Sequence, residues 1–221
     1  MTLTRYRKAI GLLVLVISTF VLAWGIWPQA AERRQVSFQP SDMRLPASSG
    51  ASAAVLEDRR MALSWPATLR LGEQASLRLI VEPESPTDLP RDSAEYSNVF
   101  EAYDVIAQAR LDLAGMEYRP EGEVSEALLP GKPVVFIWYV RPSHPGHAEG
   151  TVWLHLRFVP HAGGQELTKV LTAQRIDIRA KSLLGLGVYP AKLAGSLGMI
   201  VGAILSLEGL VRWIRGRMID A

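Results

Sequence analysis

Four histidines lie close together in the sequence and are the first residues that suggest chemistry: His144, His147, His155 and His161. Imidazole nitrogens bind zinc and exchange protons near neutral pH. A metal site also needs ligands that converge and partners that orient them, and Glu149 is the one carboxylate between these histidines. We therefore expect exposed histidines, with His144 and His147 as the metal-ligand candidates. A metal-dependent enzyme built on residues 144–161 is the third of three functional hypotheses.

An acidic segment in the middle of the chain is the second chemical feature. Its carboxylates would suit a calcium ion or a basic partner, but they lack the alternating spacing of a calcium loop. We interpret the segment as a solvated connection between strands. Three aromatic residues in it have helical spacing. They either plug one end of a β-domain, which we favour, or form a docking patch for a partner. The carboxylates are Glu82, Glu84, Asp88, Asp92, Glu95, Glu101 and Asp104, and the aromatics are Tyr96, Phe100 and Tyr103.

Motifs for catalysis or cofactor binding are missing from the sequence. It contains no GxSxG, HExxH, P-loop or GxGxxG pattern. It has no cysteine, which excludes disulfides, thiolate metal sites and a cysteine nucleophile. The net charge of +2 gives no broad basic surface for nucleic acid. We therefore predict a non-enzymatic protein that carries no cofactor and binds no nucleic acid.

Two long apolar stretches indicate how the rest of the chain is positioned. Residues 9–27 follow a short basic tail, and residues 191–213 lie near the other end. About 20 helical residues span a bilayer core of roughly 30 Å, so both stretches predict transmembrane helices. The first is longer than the apolar region of a cleavable signal peptide, and we interpret it as an uncleaved signal anchor. Cleavage near residues 29–31 is the alternative.

The second apolar stretch carries small residues at steps of three and four, which place them on one face of a helix. In lipid, such a face lets another helix approach closely. The partner is either residues 9–27 of the same chain or a helix of another subunit or a second copy, and the sequence favours neither. The face consists of Gly195, Gly198, Gly202, Ser206 and Gly209, and it includes a GxxxG pair.

Charges and aromatic residues at the ends of these stretches predict the topology. Basic residues remain on the cytoplasmic side of a membrane, so both termini should be cytoplasmic and residues 28–181 outside. Arg33 and Arg34 oppose this assignment, but two basic clusters support it. We expect a bacterial inner membrane, with the main domain in the periplasm. The topology charges are Arg5, Arg7, Lys8, Arg212, Arg215 and Arg217, and the predicted membrane-interface anchors are Trp24, Trp27, Tyr189 and Trp213.

Between the apolar stretches the hydrophobic pattern has a period of two, which is typical of strands. Residues 105–113 and 152–158 alternate, and residues 134–140 are apolar on both faces and predict a central strand. About seven short strands separated by turns favour an antiparallel β-sandwich over residues 55–181. The remaining segments are a linker at 28–54, in which residues 36–38 could still add a strand, an interfacial segment at 182–190, and cytoplasmic tails at 1–8 and 214–221.

A Trp-bearing strand, a Gly-rich turn and an alternating strand occupy residues 136–158, FIWYVRPSHPGHAEGTVWLHLRF. This stretch resembles bacterial immunoglobulin-like domains, although the paired cysteines of antibody-type domains are absent. The resemblance implies a fold and no particular function. The predicted fold class is therefore mainly β: an extracytoplasmic immunoglobulin-like sandwich flanked by two transmembrane helices.

These features lead to a functional hypothesis. With two membrane helices, a β-sandwich and no catalytic motif, we expect an accessory or structural subunit of a membrane protein complex. Its partners would be the lipid bilayer and other membrane subunits, contacted through the glycine face and the sandwich. The alternative is a membrane-anchored receptor for an extracytoplasmic ligand, whose short tails would require a partner helix to pass on a signal.

Overall fold

The computed structural model describes residues 2–27, 31–38, 59–83 and 99–219 of the chain. These residues form three helices and ten strands, which confirms the prediction of a mainly β chain with two long apolar helices. The helices are α1 (Thr2–Ile26), α2 (Val99–Ala102) and α3 (Val188–Ile219). The strands are β1 (Ala31–Phe38), β2 (Arg59–Pro66), β3 (Thr68–Arg70), β4 (Ala75–Pro83), β5 (Tyr103–Leu113), β6 (Glu117–Arg119), β7 (Glu123–Ala127), β8 (Val134–Arg141), β9 (Gly146–Pro160) and β10 (Leu167–Lys181).

The strands form two five-stranded sheets, ordered β1-β2-β4-β8-β6 and β3-β10-β9-β5-β7. The pairings with an assigned register are antiparallel. Side chains from both sheets share one hydrophobic core, to which Leu79 and Trp138 contribute from the first sheet and Leu111 and Leu156 from the second. Because the inner faces of the two sheets bury each other in this way, the strands form a β-sandwich.

The strand count exceeds the prediction of about seven because several strands carry little periodic signal. β3, β6 and β7 have only three, three and five residues. β1 lies inside the predicted linker 28–54 and pairs with β2 from Ala31↔Pro66 to Phe38↔Arg59. Its sequence, AERRQVSF, is mostly polar, which is tolerated because β1 is an edge strand with one neighbour. The rest of that linker, residues 39–58, lies outside the described residues.

The two long helices extend beyond the apolar stretches that predicted them. α1 begins at Thr2 and α3 ends at Ile219, so both predicted tails are largely helical. No proline or glycine interrupts residues 2–8, and an established helix propagates easily. α3 also begins three residues before the predicted start, at Val188, and Pro190 lies in its first turn, where proline is tolerated.

The chain divides into two compact units. The first contains Met1–Gln29, Arg70–Glu73 and Lys181–Ala221, and the second contains Ala30–Leu69 and Gln74–Ala180. α1 and α3 therefore belong to the first unit with a short turn after β3, and most of the sandwich belongs to the second.

Candidate interaction surfaces

The small residues of α3 pack against α1. A Cβ atom added at Gly202 would lie 3.0 Å from the backbone nitrogen and from the Cβ of Leu15. At Gly198 it would contact the hydroxyl of Ser18 and lie 3.1 Å from its Cβ, and Gly195 is similarly close to α1. A side chain at any of these positions would force neighbouring atoms of α1 to shift, so the glycines allow the two helices to approach closely. Gly195, Gly198 and Gly202 therefore pack against α1 of the same chain, while the packing of Ser206 and Gly209 lies outside the described residues.

Arg70, the last residue of β3, binds the C-terminal end of α1. It is 4% exposed, and its guanidinium donates hydrogen bonds to the backbone oxygens of Gly25, at 3.3 Å, and Trp27. It also lies 5.2 Å from the ring centre of Trp24 and 3.5 Å from a carboxylate oxygen of Glu73. A cation here satisfies helix carbonyls that lack partners and offsets the negative end of the helix dipole. Sequence reasoning missed Arg70 because nothing near it in sequence identifies its partner.

A recess with a volume of about 460 Å³ opens beside this contact, and we call it the α1 recess. It contains two of the predicted interface anchors, Trp24, which is half-buried, and Trp27, which is exposed. A third anchor, Tyr189, is exposed near the start of α3. The α1 recess is lined by Phe20, Ala23, Trp24, Trp27, Arg70 and Lys181.

Several predicted residues lie where the structure describes too little to place them. Tyr96 falls outside the described residues. Others lie in α1 or α3, but their side chains or packing are outside the described part of the chain: Arg5, Arg7, Lys8, Ser206, Gly209, Arg212, Trp213, Arg215 and Arg217.

Two of the histidines pair with carboxylates from neighbouring strands. His147 Nδ1 lies 3.7 Å from Asp177 Oδ1. His161 Nε2 lies 3.0 Å from Asp104 Oδ1, and its Nδ1 lies 3.1 Å from the backbone oxygen of Glu101. The carboxylate of Asp104 and the backbone oxygen of Glu101 both accept hydrogen bonds from the ring of His161, and they favour its protonated form. The hydrogen bond to Asp104 is the main reason that the pKa of His161 is raised above its usual value.

The remaining two histidines are held elsewhere. His144 lies exposed in the bend before β9, and the ring of His155 is nearly parallel to that of Trp153, with centroids 6.4 Å apart. The four histidine side chains thus have different surroundings and do not form one cluster. Within the described residues, no group of three or more His, Cys, Asp or Glu side chains is placed to hold a metal ion.

Two of the three aromatic residues of the acidic segment, Phe100 and Tyr103, lie in or against the core. Tyr103 opens β5, is buried, and meets Phe158 edge to face with ring centroids 6.2 Å apart. Phe100, in α2, packs against the same core. Tyr103 is therefore a core residue and Phe100 is half-buried against the core, while Tyr96, the third docking candidate, lies outside the described residues.

One face of β8 is buried and the other is exposed, although both are apolar. Trp138 is fully buried, whereas Val135 and Tyr139 point outward and are 44% and 52% exposed. Half-buried Ile137 lies between them, and Ile80 of β4 pairs with Val135 in register. We call Ile80, Val135, Ile137 and Tyr139 the β8 patch. The sequence showed both apolar faces but not that one of them stays exposed.

Three arginines lie beside the β8 patch, and Glu117 of β6 pairs in register with one of them, Arg141. Arg78 pairs in register with Ile137, Arg119 of β6 pairs with Tyr139, and Arg141 ends β8; all three are exposed. An apolar centre with an aromatic residue and an arginine rim has the composition of a protein-binding surface.

A charged cleft with a volume of about 780 Å³ lies in the second unit. Trp65 is buried in its wall and donates its indole N–H to the backbone oxygen of Asp177, at 3.2 Å. The cleft therefore combines an aromatic surface with charges of both signs. Its charged residues are Glu32, Asp112, Glu149 and Asp177, with Arg34 and Arg175.

No protein-family profile and no curated protein matches the sequence. Among solved structures, a C. elegans protein described as WR4, an MSP family member, is 11% identical, with a TM-score of 0.29, over 52% of this chain and 94% of that chain. The E. coli fimbrial subunit AggA is 8% identical, with a TM-score of 0.27, over 70% of this chain and 98% of that one. A PapD-like domain of human CEP192 is 10% identical, with a TM-score of 0.27, over 53% and 81%. Scores this low support no functional transfer, and the β-sandwich is defined by the chain's own two sheets.

Proposed function

We propose that this chain is a non-catalytic subunit of a membrane protein complex, anchored by α1 and α3 and docked on its partner through the β8 patch. The β8 patch is the observation that carries this proposal. In the same proposal the sandwich is immunoglobulin-like, lies in the periplasm of a bacterium, and is attached to the inner membrane with both chain termini cytoplasmic.

The composition and exposure of the two long helices support the membrane anchoring. The windows Ala9–Ile26 and Val188–Leu205 are long and apolar enough to cross a bilayer, with mean hydropathies of 2.5 and 1.5. Large apolar side chains such as Leu13, Phe20 and Ile200 are more than half exposed along them. Lipid satisfies such a surface, whereas water does not.

The packing of α3 changes where a partner is expected to bind. Gly195, Gly198 and Gly202 already contact α1, so this part of the glycine face is occupied within the chain. A partner subunit would therefore dock on the sandwich rather than through these three glycines.

The chemistry of the β8 patch specifies the partner surface. Val135 and Tyr139 offer apolar area that is removed from water on docking, which is the main source of affinity. Arg78, Arg119 and Arg141 call for carboxylates around the edge of the partner's apolar contact. We therefore propose a protein partner with an apolar centre and an acidic rim.

The test is affinity purification of the tagged full-length protein in a mild detergent, with mass spectrometry of what accompanies it. We expect a stoichiometric membrane partner that is lost in the double variant Val135→Ser with Tyr139→Ser. Val170→Ser is the matched control, because Val170 is an exposed valine like Val135 but lies on β10 of the other sheet. A wild-type protein that purifies alone, or equal loss in the control, would refute the proposal.

The charged cleft supports the receptor alternative. Carboxylates and arginines beside Trp65 suit a small ligand that carries both an amine and a carboxylate. Amino acids can be screened by their effect on the melting temperature of the full-length protein, since a bound ligand stabilises the folded state. A shift that disappears in Asp177→Asn would favour this function, and no shift across the set would remove it.

A further inference from the structure

We propose that the α1 recess binds the head group of an anionic phospholipid, an inference that rests on the proposed membrane anchoring. All of the residues that line the recess belong to the first compact unit, so the site is formed within the helix-containing part of the chain. Its volume of about 460 Å³ accommodates a phosphate and its glycerol substituents.

The charges in the α1 recess favour an anion. Its lining includes two cations, Arg70 and Lys181, and no carboxylate. Arg70 is fixed by Gly25, Trp27 and Glu73, and the Glu73 carboxylate at 3.5 Å offsets much of its charge, so Lys181 supplies most of the attraction for an anion. Lys181 is exposed at the end of β10, and its flexible side chain can direct the ammonium toward a phosphate.

The same lining disfavours a zwitterionic lipid. The choline or ethanolamine ammonium of such a lipid would lie near Lys181 and Arg70, and Glu73, the carboxylate beside the recess, is already paired with Arg70. A head group whose only charge is its phosphate avoids this repulsion. The recess should therefore prefer phosphatidylglycerol to phosphatidylcholine.

An apolar path for the acyl chain leads to the recess. Leu13, Ile17 and Phe20 follow one another at steps of four and three on one face of α1, and each is more than half exposed. Phe20 itself lines the recess, so the row ends at the proposed head-group site. Trp27, with its exposed indole, lies at the polar end, where a ring with an N–H donor suits the membrane interface.

The experiment uses the full-length protein in detergent micelles that contain equal amounts of phosphatidylglycerol and phosphatidylcholine, with native mass spectrometry to count retained lipids. We expect phosphatidylglycerol to be retained preferentially. Lys181→Gln should lower that preference about fivefold, because one cation near an anionic lipid surface is worth about 1 kcal/mol. Lys181→Arg should keep the preference, and Lys132→Gln, which removes an exposed lysine of the sandwich, should leave it unchanged.

Equal retention of the two lipids by the wild-type protein would overturn this inference, as would equal effects of Lys181→Gln and Lys132→Gln. Flotation with pure phosphatidylcholine vesicles tests the membrane anchoring separately from the lipid site. A protein that does not float refutes the membrane anchoring itself, whereas a protein that floats and shows no lipid preference refutes only the lipid site.

Discussion

An engineered disulfide between α1 and α3 tests the packing of the helix pair directly. The variant combines Ser18→Cys with Gly198→Cys. A Cβ atom added at Gly198 would lie 3.1 Å from the Cβ of Ser18. Cβ atoms joined by a disulfide are about 3.5–4.5 Å apart, so the helices need to separate by only about 0.4 Å or slightly more. The natural chain has no cysteine, so any bridge that forms can be assigned to this pair.

We expect oxidation of the purified variant in mild detergent to give an internally bridged monomer in high yield. The bridge closes most of the chain into a loop, so the denatured monomer is more compact and migrates faster on a non-reducing gel. A reducing agent should restore the normal mobility. Quantifying the fast band against oxidation time gives the fraction of molecules in which α1 and α3 pack as the structure shows.

The control pairs Ser18→Cys with Ser196→Cys. Ser196 is exposed on α3, and its hydroxyl donates a hydrogen bond to the backbone oxygen of Lys192 in the same helix. A cysteine at this exposed position should therefore form a disulfide with the cysteine at position 18 slowly or not at all. Covalent dimers from the Ser18–Gly198 pair, in place of bridged monomers, would show that the glycine face packs against a second copy. Equal bridging by both pairs would mean that α1 and α3 have no fixed contact.

Three further predictions follow from the geometry. Gly202→Leu should destabilise the helix contact by about 1–3 kcal/mol through overpacking and lower the yield of the same disulfide, whereas Ala194→Leu, at an exposed position of α3, should not. Trp138→Ala removes a fully buried side chain and should lower the free energy of unfolding by about 3–5 kcal/mol in chemical denaturation; a loss below 1 kcal/mol would contradict its core position. The pKa of His161 is raised by Asp104, so its stabilising contribution should be complete below about pH 6.5 and disappear as the pH rises through the raised pKa. An NMR titration of the ring checks this, and Asp104→Asn should return the pKa toward its ordinary value.

The sequence predicted those elements whose periodicity lasts several turns or residues. α1 and α3 were recognised from their long apolar stretches, and β5 and β9 from alternation that the structure confirms in the buried residues Val105 and Leu154. Only the end of β1, residues 36–38, was indicated as a strand, because a polar edge strand is stabilised by its hydrogen bonds to β2 and its own side chains carry little pattern.

The contacts that define the candidate sites depend on pairs distant in sequence, and a single sequence cannot reveal them. Arg70 meets Gly25 across 45 positions, and Asp104 meets His161 across 57. Periodicity likewise showed that β8 is apolar on both faces, but the exposure of Val135 depends on which layers the fold places over it.

The apolar character of β8 also affects the chain before it has folded. Residues 134–140, VVFIWYV, form an uncharged segment of high β-propensity, the type that pairs with copies of itself and aggregates. Lys132, Pro133, Arg141 and Pro142 flank it, and charges and prolines in such positions oppose that self-association. Folding covers only one of its two faces. If the proposed partner covers the exposed face of β8, a copy synthesised in excess of that partner would keep this apolar face in contact with water, and its abundance in the cell should then follow that of the partner.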